Sequence, residues 1–170
     1  MKKLTILYAC FLFPLFSQGQ QEKYSQDVTS IDAIIHAIYD VISGPADQPR
    51  DWERFRFLFA EDAKLIPTKK QDNGQVTYRY WSPGDYVKMF TANRTAFFER
   101  ELNRVTEEYG NIVHVFSTYE TKTDPGGPVT NRGINSFQLL KDDDRYYIMT
   151  IFWSAESDGF ELPGKYLQKN

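Results

Sequence analysis

Cysteine is almost missing from this chain: Cys10 is the only one in 170 residues. A single cysteine excludes an internal disulfide, cysteine-ligated zinc and a redox pair. Histidine is nearly as scarce, with only His36 and His114. Two separated histidines without a matching carboxylate pattern make a poor metal site, so no metal and no cofactor is expected. Basic charge is not in excess either. Twenty Lys and Arg against 23 Asp and Glu leave a formal charge of −3, and there is no basic stripe, so nucleic acid is not an expected partner. Internal repeats, low-complexity tracts and a second long apolar run are also missing.

The one long apolar run opens the chain. Lys2 and Lys3 precede residues 4–16, a stretch too short to span a bilayer but matching the positive and apolar regions of a signal peptide. Ser17 and Gly19 fit a cleavage site, so residues 1–19 are expected to be removed and Gln20 to begin an exported chain, secreted or periplasmic. Leu7 to Cys10 loosely matches a lipidation box, but Tyr8 is bulky and the apolar run continues past Cys10. No stable membrane anchor is therefore expected after cleavage. Residues 20–28 read as a polar, flexible leader, and 29–170 as one domain of a size that supports a real core.

What is abundant is aromatic surface, 16% of the chain. That much ring area suits a large aromatic core or a ring-lined cavity. Ser30 reads as the cap of a first helix whose Ile31, Ile34, Ile35, Ile38 and Ile42 form one stripe, stopped at Ser43-Gly44-Pro45. Asp51 caps a second helix that places Trp52, Phe55, Leu58 and Phe59 on one face. A short strand over 63–68 follows, then Asn73-Gly74 as a hairpin turn into 76–81. Ser82-Pro83 opens a third helix carrying Tyr86, Met89 and Phe90. Four strands are expected over 99–109, 112–123, 131–141 and 145–155, joined at Gly110-Asn111, 125–128 and Asp142 to Asp144. Helices gathered before a run of strands mean an α+β fold.

This order, with "LFAEDAKLIP" at the helix-to-strand junction and "RGINSFQLLKDDDRYYIMTIFWSAE" as the final hairpin, resembles the SnoaL-like group of the nuclear transport factor 2-like superfamily. The resemblance covers roughly residues 29–167. It implies a cone: three N-terminal helices packed on a curved, mostly antiparallel sheet, open at one end. It does not imply an activity, because enzymes, binding proteins and assembly modules share this scaffold. Alignment with the ketosteroid isomerases of the superfamily puts Pro67 where their general base stands and Asn135 at a second acid. Their helix tyrosine falls near Ala37, two residues from Tyr39. Proline accepts no proton, so isomerase-type catalysis is disfavoured. Glu61 and Asp62 read as exposed turn acids before the strand.

Alternation sorts the strands. A three-residue loop at Asp142 to Asp144 pairs Leu139 with Tyr147, Phe137 with Met149 and Asn135 with Ile151, with Trp153 opposite Gly133. The resemblance puts this face inside the cone, along with Val113, Val115, Ser117 and Tyr119. Phe116, Ile134, Ile148 and Phe152 then form an apolar outer face through which two copies are expected to pair as a homodimer. His114 falls on that outer face, which argues against a general-base role, and His36 faces solvent. Arg100 and Arg104 reach toward the mouth of the cone.

The expected ligand-binding residues are Tyr39, Trp52, Tyr80, Phe90, Ser117, Tyr119, Asn135 and Trp153. Plain core packing is the competing explanation for each ring. Ser117 and Asn135 carry more information, because buried polar groups need partners. Three functions remain open: an exported binder of a small apolar or aromatic molecule, an enzyme on a small carbonyl-containing metabolite, and a dimeric interaction module with a filled cone.

Overall fold

Two absences of spacer set the architecture. The second helix runs into the first strand with only Leu58 between them, and the last two strands are joined by two residues. The computed structural model describes residues 23–156 and 160–167; the expected signal peptide lies outside them. Three helices, α1 (Ile31–Ile42), α2 (Trp52–Phe57) and α3 (Pro83–Asn93), pack on one six-stranded sheet. Its strands are β1 (Phe59–Lys70), β2 (Val76–Tyr78), β3 (Phe98–Tyr109), β4 (Ile112–Lys122), β5 (Asn131–Asp142) and β6 (Arg145–Ala155), in the order β2-β1-β6-β5-β4-β3. Only β1 and β6 run parallel. The curved, unclosed sheet wraps the helices in the expected cone.

The helices start where their side chains can satisfy free backbone donors. Ser30 accepts from the Ala33 amide at 3.1 Å and Asp51 from the Arg54 amide at 2.9 Å. Ser82 and Asp85 form a reciprocal capping box with Pro83 in the first turn. α1 is buried beyond its isoleucine stripe: Ala37, Tyr39 and Val41 are also enclosed. A helix covered on most of its circumference is the plug of the cone. Phe97 and Phe98 lie beyond α3, and Phe97 bridges to Gly44 instead. β1 begins four residues earlier than the pattern suggested, so Glu61 and Asp62 are exposed strand residues rather than turn acids.

The last hairpin departs from its expected register. Its turn is Asp143-Asp144, with Asp143 left-handed at φ 50°, a conformation that aspartate tolerates better than most residues. A bulge then leaves Met149 as the extra residue: Leu139 faces Ile148, while Gln138 faces Thr150. Beyond the bulge Phe137 pairs with Ile151 and Asn135 with Trp153, and Gly133 faces Ala155. The bulge therefore keeps Asn135, Phe137, Leu139, Ile151 and Trp153 on one face while exchanging Tyr147 and Met149 for Tyr146 and Ile148. Alternation alone cannot reveal this, because one unpaired residue inverts every side chain on one side of it.

Ile148 is thus a core residue with no exposed surface, not part of the outer face. The outer face keeps the half-exposed Phe152 and the partly covered Phe116 and Ile134. Part of it is taken by the C-terminal segment, where Tyr166 packs edge-on against Phe116 at 5.2 Å. Replacing Ile148 with arginine would bury an unpaired charge, at a cost of at least about 3–5 kcal/mol. Ile148→Arg is expected to abolish or sharply weaken cooperative urea unfolding followed by circular dichroism.

Candidate functional site

The open end of the cone holds a cavity of about 390 Å³ between α1, α3 and the inner face of the sheet. Its wall is a continuous run of rings. Trp153 meets Trp81 at 6.2 Å, Trp81 meets Tyr86 at 6.5 Å, Tyr86 meets Phe90 at 5.7 Å and Phe90 meets Phe97 at 5.6 Å. Tyr39, Tyr119, Asn135 and Pro67 also line it. Exposed Asn93 and Thr95 mark its rim.

One carboxyl group interrupts the apolar lining. Glu99, at the start of β3, is the only acidic side chain among the described lining residues, which include no Lys, Arg or His. The Asn135 amide donates to its Oε1 at 3.2 Å and to the Tyr39 hydroxyl at 3.1 Å. Ser117 spends its single hydrogen on Glu101, at 2.6 Å. Tyr39, 2.8 Å from Ser117, must therefore be the donor between them. Glu101 is clasped by two nitrogens of Arg104, which also reaches Asp32 at 2.7 Å. An ordered series of hydrogen bonds thus runs from the cavity wall to the surface beside α1.

Burial pushes the Glu99 carboxyl up to about 8, against the opposing effect of the Asn135 hydrogen bond. The residue is half-buried because its remaining surface faces the cavity. Oε1 is engaged by Asn135, so a retained proton belongs on Oε2. Burial raises Tyr39 and Tyr86 as well, with the Glu99 charge as the second cause for each. Neither phenol ionises at neutral pH.

Five expected residues meet at this cavity: Tyr39, Phe90, Tyr119, Asn135 and Trp153. Three do not line it. Ser117 is fully buried behind the wall, where it holds Tyr39. Trp52 packs edge-on against Phe55 and Phe90 and borders a separate groove beside the 45–50 loop. Tyr80 is 65% exposed and stacks edge-on with Tyr78, because β2 pairs only at the sheet margin. Arg100 and Arg104 are also absent from the wall: the first pairs with Glu120, the second with Glu101 and Asp32. His114 bonds Ser136 on the outer face. Glu99 was missed because an acid at the first turn of a strand looks like a solvated end residue. Its signal was the "TAFFE" run, which places a carboxylate directly behind two phenylalanines.

No family model and no curated protein matches this chain. Solved structures do. A Nostoc punctiforme protein of unknown function with a cystatin-like fold is 12% identical at a TM-score of 0.53, covering 75% of this chain and 93% of that one. A Xanthomonas campestris protein described as a calcium/calmodulin-dependent protein kinase II association domain is 18% identical at 0.52, covering 74% and 84%. The yeast UBP3-associated protein BRE5 is 14% identical at 0.51, covering 73% and 92%. At such identities the likeness establishes the fold alone.

Because the folded chain holds the Glu99 proton more tightly than the unfolded chain, ionisation works against folding. The sign is fixed: below pH 4.5, the ordinary value, both states are protonated. Stability should then fall as pH rises toward about 8, by up to about 1.4 kcal/mol per unit from this group. Glu99→Gln is expected to flatten that slope, measured by urea unfolding at several pH values between 5 and 9.

Proposed function

We propose that this is an exported domain that binds a small, largely apolar or aromatic molecule in its cone. The observation that carries the reading is a cavity of about 390 Å³ walled by rings with one polar cluster, Glu99, Asn135 and Tyr39. A volume of that order suits a small ligand rather than packing residue. Rings supply area and dispersion, and a few convergent polar groups supply orientation. A filled interaction module has no use for a carboxyl group in its cavity wall.

The test is a thermal-shift screen of the mature protein against small aromatic compounds, since a ligand of the native state alone raises the melting temperature. Thr95 stands exposed at the rim, so Thr95→Trp should obstruct entry without disturbing the core. The variant is expected to melt like the parent and to lose the ligand-induced rise. A full rise in the obstructed variant would place binding elsewhere.

A second reading is catalytic. One observation favours it: a proton on Glu99 Oε2 would stand in the same cavity as the Tyr86 hydroxyl, positioned to polarise a carbonyl group. Pro67 lines this cavity without offering a base, so isomerase-type proton shuttling stays disfavoured. Conversion of a bound carbonyl compound, lost in Glu99→Gln, would favour this reading over simple binding.

Export and pairing complete the proposal. The secreted chain should have the mass of a protein beginning at Gln20 with no lipid. The same sample should scatter light as a dimer, paired through the outer face around Phe152. A diacylated mass beginning at Cys10 would defeat the first claim, and a monomer at high concentration the second.

A further inference from the structure

The Glu99 carboxyl has no counter-charge among the described residues that line its cavity. Among the described residues no Lys, Arg or His lines the cavity, and three arginines packed nearby are engaged elsewhere. Arg50, 5.8 Å beyond Phe90, gives its N–H groups to the carbonyls of Ile42, Gly44, Pro45 and Gln48. Arg104 is held by Glu101 and Asp32, and Arg100 by Glu120. Around Glu99 the cavity is lined by Tyr39 from α1, Tyr86 from α3, and Tyr119 and Asn135 from the sheet, and burial keeps the Tyr39 and Tyr86 phenols protonated at neutral pH. A carboxyl group in such a place has two ways to avoid a bare charge. It can keep its proton, or it can take a cation from solution.

The rest of the wall selects between them. Trp81, Tyr86, Phe90, Phe97 and Trp153 present π-surface around the same space. Ring faces attract positive charge, and rings combined with a carboxylate form the recognised environment for an alkylammonium group. From these placements we infer that the ligand of the cone is an organic cation, an amine or quaternary ammonium compound whose charged end sits against Glu99 Oε2 and whose apolar body fills the cavity. This inference rests on the binding reading above and names its ligand class. At about 30 Å³ per atom-sized unit the cavity accommodates roughly a dozen non-hydrogen atoms, the size of a benzylic or short-chain ammonium.

The consequence is an exchange of a proton for a cation. In the empty cavity Glu99 holds its proton until about pH 8. A cation binds the ionised form, so binding releases the proton and affinity rises with pH. A neutral ligand that accepts a hydrogen bond from Glu99 has the opposite dependence and weakens above about pH 8.

The experiment uses two probes of nearly equal shape, benzyltrimethylammonium and neopentylbenzene, by calorimetry and thermal shift on the mature protein from pH 6 to 9. Benzyltrimethylammonium does not titrate, so any slope belongs to the protein. Its affinity is expected to rise about tenfold per pH unit up to about pH 8 and then level off. Neopentylbenzene should bind more weakly, without a slope. Glu99→Gln keeps an acceptor for Asn135, so it should fold, as circular dichroism would verify. It should lose the preference for the cation and its slope, yet still bind neopentylbenzene. If neopentylbenzene binds and the cation does not, or if Glu99→Gln binds the cation unchanged, the cation inference is wrong and the binding reading stands. Should an acceptor such as cyclohexanone bind instead and weaken above pH 8, Glu99 acts as a donor and the inference is again overturned. If no probe of any charge shifts the wild-type protein, the binding reading itself falls, and the inference with it.

Discussion

The contact on which the cone depends is the meeting of Tyr39 with Asn135 and Ser117, beneath the plug helix. Burying a phenol, an amide and a hydroxyl in one place is unfavourable unless each finds a partner. Here each does, and the donor order is determined from one end to the other. Satisfying these groups requires α1 to sit at one depth and one rotation over the sheet. The isoleucines alone would tolerate small slips, since apolar packing is not directional. The polar series thus converts a greasy plug into a positioned one, and the cavity is the space left when the plug stops at that depth.

The same series ends on Glu99, which links architecture to chemistry. Asn135 divides its two hydrogens between a structural acceptor and a cavity acceptor. One side chain therefore fixes the helix and aims a carboxyl group. Substitution of such a residue would confound folding with binding, whereas the rim and the far oxygen of Glu99 are separable from the plug. Glu99 is an uncompensated acid in a wall otherwise built for stability, and local disadvantages of this kind concentrate where a protein meets its ligand.

The fold was largely legible in the sequence because its signals are redundant. A stripe of isoleucines, three capped helix starts and alternating strands all point to the same cone. The inner face of β5 was legible for the same reason, since Phe137 and Leu139 bracket Asn135 at period two. What could not be read was any feature that depends on counting across an irregularity. Met149 inserts one residue, so the inward set beyond it becomes Tyr146 and Ile148. Trp52 was misplaced because aromatic character signals burial but not against which surface, and Tyr80 because nothing in its ring tells a margin strand from a covered one. Glu99 was invisible because only the tertiary course of β3 decides whether a strand-end acid meets water or rings.

The parallel contact of β1 with β6 carries a temporal meaning. The Thr68 hydroxyl bonds the carbonyl of Trp153, 85 residues further along, and β1 has no long partner of its own other than the final strand. While the polypeptide is being made or moved, β1 waits with open hydrogen-bonding positions until nearly the whole chain has arrived. Closure of so long a loop is slow and comes late. A chain with this order of pairing spends its youth with an unfinished margin, and is most exposed to aggregation before its last strand is in place.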